Sequence, residues 1–201
     1  MDLSGRPDVV APMLLGALLT CGPVTVRLTE VEAYAGESDP GSHAFRGRTP
    51  RTEVMFGPPG RAYVYFTYGM HWCLNVVTGP AGDAGAVLLR AGQVVSGVEL
   101  ARSRRPGAPD RDLCRGPARL CRTLAVTGEL GGVDLLDAGS DLRLSVPVGR
   151  PAPAAVPTGP RVGVAGAGAA TPWRFWTADE PTVWVFRPAV DRTARRRAAA
   201  R

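Results

Sequence analysis

Glu32 stands two residues before Tyr34 in the run VTVRLTEVEAY. All four tyrosines of the chain (Tyr34, Tyr63, Tyr65 and Tyr68) fall between positions 34 and 68, together with His43, one of only two histidines. Any one of these rings could simply pack a core. As a set, aromatic faces and a histidine beside a strand-end carboxylate suit a pocket for a planar base, because stacking contributes about 1–3 kcal/mol per base. A cationic ring gains roughly 0.5–2 kcal/mol more against electron-rich aromatics. Burial of Glu32 among apolar strand neighbours raises its pKa and suits it to general-base chemistry. Arg90, at the end of the apolar run AGAVLLRA, acts in the opposite sense by favouring the ionised form, and the sequence leaves that balance open.

What the chain lacks narrows the chemistry. Every basic residue is an arginine, so no lysine amine is present to form a Schiff base, and only the chain's own α-amino group could do so. Cys21, Cys73, Cys114 and Cys121 show no Cys-x-x-Cys spacing, which fits reduced thiols used as small hydrophobes. Four cysteines and two histidines without zinc-ligand spacing imply no structural metal. No glycine-rich phosphate loop precedes a helix, and no cofactor is expected.

The elements that must position these residues follow from periodicity. Residues 11–20 place Leu14, Leu15, Leu18 and Leu19 at helical spacing, ahead of Gly22-Pro23. Val24–Tyr34 alternates as a strand. Unbroken, it puts Val24, Val26 and Leu28 on one face with Glu30, Glu32 and Tyr34. Residues 36–61 form a long Gly/Pro/Arg/Ser loop, of a length that is usually either functional or disordered. Strands are expected at 62–68, 73–78 and 84–91, helices at 95–104 and 116–124, a Pro-rich connector at 147–160, and short strands at 161–164 and 182–186. His71 beside Trp72 reads as packing. The mixture without regular strand–helix alternation predicts an α+β domain, with a mixed, curved β core flanked by helices.

With 201 residues, 45% hydrophobic and 21% charged, the chain is of globular composition, and one domain over residues 1–190 is expected, followed by a basic tail at 191–201. The net charge is +6. It is unevenly spread: residues 1–100 carry seven arginines against nine acids, and residues 101–201 seventeen against nine, five of those arginines in the tail. Such a tail can tether a protein to nucleic acid without sequence preference. The longest apolar stretch, 9–19, is broken by Pro12 and Gly16 and falls short of the roughly 20 residues of a membrane span. With no basic n-region ahead of it, a cytoplasmic monomer without membrane contact is expected.

Six segments, in order, resemble the alkyladenine (3-methyladenine) DNA glycosylase family: VEAYAG (31–36), SHAFRGRTPR (42–51), MFGPPGRAYVYFTYGMHWCLNVV (55–77), AVLLRA (86–91), GPARLCRTLAV (116–126) and PRVGV (160–164). The resemblance spans roughly 11–186. It implies a base-excision-repair enzyme acting on double-stranded DNA that carries alkylated or deaminated purines. Such an enzyme flips the damaged base out of the duplex. It implies that Glu32 activates the water attacking C1′, with Arg90, His43 and the Val162 carbonyl around it. Tyr34, His43 and Tyr65 would stack on the base, and Asn75 would crowd the purine 2-position. Tyr68 would fill the gap left in the duplex, and Arg48 and Arg51 would contact its backbone. The lysine-free composition agrees with hydrolysis without strand cleavage. The alternative is a non-catalytic nucleic-acid binder on the same fold. Thr52-Glu53-Val54 departs from the family pattern, and Glu53 is ill-suited to sit beside a phosphate. Residues 165–171 (AGAGAAT) also depart, lacking the charged residues expected there.

Overall fold

The computed structural model describes residues 1–147 and 156–188. Among them, nine strands form one curved, unclosed antiparallel sheet with three α-helices packed on it, the α+β class expected. In chain order these are α1 (Pro7–Met13), β1 (Leu18–Cys21), β2 (Val24–Tyr34), β3 (Ala62–Thr67), β4 (His71–Val77), β5 (Ala86–Ser96), α2 (Val98–Arg104), β6 (Cys114–Arg115), α3 (Pro117–Leu124), β7 (Leu142–Ser145), β8 (Thr158–Gly159) and β9 (Arg174–Trp176). The main path is β3-β4-β5-β2-β1-β7; β6 pairs with β5, β9 with β2, and β8 with β9. The expected tail at 191–201 and most of the Pro-rich connector lie outside the described residues.

The faces of β2 do not run as unbroken alternation predicts. Its pairing with β5 slips between Leu28 and Glu30 and again between Glu30 and Val31. An inserted residue in a strand reverses which side chains face which way. Val24, Val26 and Leu28 join the main apolar cluster, but beyond the bulge it is Val31 and Ala33, not Glu30 and Glu32, that continue it. The even-numbered residues are thereby handed to the opposite face. Antiparallel register carries the separation across four strands. Ala33 pairs with Val87, Val87 with Val76 and Val76 with Ala62, all in the main cluster. The adjacent row, Glu32–Leu88–Asn75–Tyr63, lies on the other side. There a smaller cluster of Met55, Phe56, Tyr63, Val77 and Ala86 sits beneath the loop 36–61.

Other expectations need correction. The helix expected over 11–20 starts at Pro7, where a proline without an N–H is tolerated, and is over by Met13. Leu18 and Leu19 already pair with Arg27 and Val26 in a hairpin turned by Gly22-Pro23. Leu14, Leu15 and Leu19 are buried and Leu18 is half-buried in the strand arrangement, so helical spacing alone does not decide between the two. The third strand runs from Ala86 to Ser96, and Gly97, at φ +72°, delays α2 to Val98. Residues 161–164 and 182–186 are not strands. In the second segment side chains satisfy the backbone: Arg115 donates to the Val183 carbonyl, Arg174 to the Trp184 carbonyl, and the Trp184 N–H donates to Glu30. Nor is His71 packing: it is exposed, while Trp72 tilts against Phe66 with ring centroids 4.7 Å apart.

Candidate active site

A cavity of about 360 Å³ opens on the polar face of the sheet, walled by β3, β4 and β5, the loop 41–43 and the turn 162–164. Tyr34, His43, Tyr65, Tyr68, Asn75, Arg90 and Val162, all expected from sequence, line it, with Tyr63, Cys73 and Leu88. The long loop closes one side by folding into short 3-10 turns at Gly36–Ser38 and Glu53–Phe56. Met55 from the second turn adds to the wall.

Glu32 is fully buried immediately behind this wall. Its Oε2 accepts from the Tyr34 hydroxyl at 3.0 Å, and its Oε1 from the Val162 N–H at 2.7 Å. Arg90 Nε lies 3.6 Å from Oε1. All three neighbours line the cavity. At Val162 it is the backbone amide that bonds the acid. Burial raises the Glu32 pKa, opposed first by Arg90 and then by the Val162 N–H; Glu30 pushes it further up. Burial and the neighbouring acid hold the Tyr34 phenol protonated, so it remains a donor to Glu32.

Glu30, to which sequence alone gives no role, anchors this arrangement. Arg90 and Arg174 both donate through Nε to its Oε1, at 2.7 and 2.6 Å, and the Trp184 N–H donates to Oε2 at 2.8 Å. Arg90 is thus hydrogen-bonded to Glu30 and only electrostatically paired with Glu32. A second unforeseen pair lies beside Tyr34. Arg161, buried, makes two bonds to Asp39 at 2.5 and 2.7 Å and donates to the Ala33 carbonyl at 2.8 Å. Its guanidinium stands 4.6 Å from the Tyr34 ring centroid. A side chain added at Gly41 would come within 2.5 Å of that guanidinium, so glycine is required there. Burial pushes Asp39 up, yet its bonds to Arg161 and to backbone amides hold it below the usual aspartate value. Arg161 lies in PRVGV; an arginine in an otherwise apolar run was the available signal.

The aromatic walls are set at right angles. His43 meets Tyr65 edge-on, at 84° with centroids 4.6 Å apart, and meets Tyr63 at 88°. A planar ring lying flat on one of the pair His43 and Tyr65 therefore meets the edge of the other. His43 Nδ1 is 3.0 Å from the Tyr63 hydroxyl and Nε2 is 3.4 Å from Arg51. Arginine can only donate, so Nε2 accepts and Nδ1 carries the proton. Desolvation, reinforced by Arg51, lowers the His43 pKa to about 4, so the ring is neutral at pH 7. Asn75 is buried, its amide donating to the Tyr63 carbonyl at 3.0 Å.

Tyr68 stands apart at the β3–β4 tip, 82% exposed and in the left-handed region at φ +52°, followed by Gly69 at φ +65°. A bulky residue with positive φ is rare and is held there at a cost, which directs attention to what the exposed ring does. The two backbone candidates are engaged within the protein. Arg48 pairs with Glu53 at 2.7 Å and lies 4.5 Å from the Phe56 ring centroid. Arg51 reaches His43 and stands over Tyr65 at 5.3 Å. Glu53 thus answers Arg48. Among the described residues no group of three His, Cys, Asp or Glu could hold a metal ion.

Fold and site together define a class: an α+β protein whose curved sheet carries an aromatic-lined cavity with a fully buried carboxylate behind its wall. Comparison with known proteins gives that class a family. The profile of methylpurine-DNA glycosylase matches residues 2–181. A protein of Streptomyces avermitilis named "Putative 3-methyladenine DNA glycosylase" is 54% identical over 201 residues, covering 96% of this chain and 94% of its own. One of the same name from Frankia casuarinae is 53% identical over 198 residues (94% and 92%), and one from Leifsonia xyli 55% over 189 (87% and 85%). The chain belongs to the methylpurine-DNA glycosylase family of DNA-repair enzymes.

Proposed function

We propose that the protein extrudes alkylated or deaminated purines from duplex DNA and hydrolyses their N-glycosidic bond with water activated by Glu32, without cutting the strand. The observation that carries this reading is the Glu32 carboxylate, buried behind an aromatic-lined cavity, hydrogen-bonded to Tyr34 and Val162 and ion-paired with Arg90, all three of which face that cavity. Glu32 accepts a proton from the water and stabilises the positive charge that develops on the sugar. Tyr34 and Val162 hold the carboxylate oriented, while Arg90 favours its ionised form. Tyr34, His43 and Tyr65 receive the base, and the neutral His43 adds no charge to repel a cationic purine. Asn75, fixed on the cavity floor, crowds the exocyclic amine of a normal guanine. Tyr68 enters the duplex, where filling the vacated space offsets an unstacking cost of a few kcal/mol.

A duplex containing hypoxanthine or ethenoadenine, incubated with protein and then treated with alkali, tests this. Breaks appear with the wild type and not with Glu32→Gln. Binding without breaks in either would leave a nucleic-acid binder instead. Borohydride trapping on an abasic site yields no covalent adduct if hydrolysis is the only chemistry.

A further inference from the structure

A second groove, of about 610 Å³, lies along α3 next to the cavity. It is lined by Met70, His71, Trp72, Arg105 and the α3 residues Ala118, Arg119 and Arg122 among others, and among the described residues no acid lines it. His71 and Ala118 border both spaces, so the groove continues from the cavity mouth past the exposed tip. There Tyr68 is 82% and Met70 67% exposed.

The charge in this groove is uncompensated. Among the described residues, Arg105, Arg119 and Arg122 form no ion pair with a carboxylate, in contrast to Arg102 on α2, which is paired with both Glu99 and Asp110. What holds them in place is neutral. Arg122 donates to the Arg104 carbonyl at 3.0 Å, Arg105 to the Asp112 carbonyl at 3.4 Å, and Arg119 lies 4.9 Å from the Trp184 ring centroid. Arg104, on the same side, also spends its donor on a carbonyl, that of Thr123 at 2.8 Å. The Nε of Arg105 is buried with no partner among the described residues. Burial, and after it the charges of Arg119 and Arg122, hold the Arg105 guanidinium below its ordinary pKa, as expected where like charges gather. Arginines fixed by backbone carbonyls keep their full charge for an anion.

We propose that Arg105, Arg119 and Arg122 form the main phosphate-binding groove, receiving the sugar–phosphate backbone of the duplex whose base enters the cavity. This rests on the reading of the cavity as a DNA-base site and replaces Arg48 and Arg51 as the principal backbone contacts. The occupant is a polyanion rather than a single phosphate, because three guanidinium groups line one groove that shares His71 and Ala118 with the base cavity. Duplex DNA is favoured because Tyr68 and Met70, the exposed apolar residues between the two spaces, suit insertion between stacked base pairs.

The test measures binding of a fluorescent duplex carrying a reduced abasic site between 50 and 200 mM salt. Each phosphate that is no longer neutralised flattens the log K against log salt slope by about 0.9. The variant R119Q/R122Q, both changes on the outward side of α3, should flatten it by roughly one to two and weaken binding about tenfold or more. R105Q, made separately because that side chain is partly buried, should flatten the slope by about one, with circular dichroism confirming the fold. R102Q and R48Q should leave the slope as in the wild type. An unchanged slope in R119Q/R122Q, or an equal flattening in R102Q, overturns the groove. So does an RNA duplex of the same length binding more tightly than DNA and losing its binding in R119Q/R122Q. If the wild type binds no duplex at all, it is the reading of the cavity that fails.

Discussion

The two faces of the sheet are built from the same strands and do opposite things. On one face Ala33, Val87, Val76 and Ala62 form a row with no polar side chain, fully removed from water. One residue along, Glu32, Leu88, Asn75 and Tyr63 are also buried, but three of the four carry polar groups that must be satisfied or used. The first face gains its stability from apolar burial, which is non-directional. The second gives up stability to hold an acid and two arginines out of water, and answers the cost with hydrogen bonds at 2.6–2.8 Å around Glu30. The proposed site occupies the face where the protein could have been more stable.

Substitutions can break that contrast. Glu32→Gln should lower single-turnover excision by about 10²–10⁴-fold, the range for loss of a general base. Its melting temperature should not fall, because the amide can still bond Tyr34 and Val162 while the desolvated charge is gone; a clear drop would mean that the acid stabilises the fold. Leu89→Ala, on the apolar face, should do the reverse: a loss of about 2–5 kcal/mol in denaturant unfolding with near-normal excision per folded molecule.

Glu30→Gln should slow excision about tenfold with abasic-DNA affinity retained, because Arg90 loses the charged partner that positions it. Removing the like charge of Glu30 also lowers the Glu32 pKa, so the acid limb of the pH–rate profile should move to lower pH. The groups facing Glu32 are Arg90, Tyr34, Glu30 and Arg161, so a limb that does not move would assign Glu30 a structural role only. In the wild type that limb should lie above the ordinary glutamate range, rising with pH as Glu32 ionises. The same raised pKa means that ionising Glu32 costs stability as pH rises through this window. Asp39 has the opposite sign: its contribution, present above the unfolded value near 3.8, is lost as pH falls below it. Tyr68→Ala should have the smallest effect on the fold, leaving the unfolding free energy within about 0.5 kcal/mol of wild type. It should still weaken lesion capture; unchanged excision would remove the wedge from the mechanism.

The legible part of this protein was what is local in the chain. Alternation over Val24–Tyr34 marked β2 to the residue, and the tyrosines and His43, read by type and spacing, line one cavity with Glu32 buried behind its wall. The α+β class followed from the mixture of short periodic segments. What alternation could not carry was the bulge at Leu28–Val31, since a slip in pairing depends on the partner strand and reverses every side chain beyond it. Nor could spacing join Glu30 to Arg174 and Trp184, or Asp39 to Arg161, partners more than a hundred residues apart whose bonds exist only once β9 lies on β2 and the long loop folds back. The arginines show the same limit: charge type is written in the chain, but whether a guanidinium is cancelled, as Arg48 is by Glu53, or meets no carboxylate among the described residues, as Arg119 does, depends on which acid the fold brings within reach.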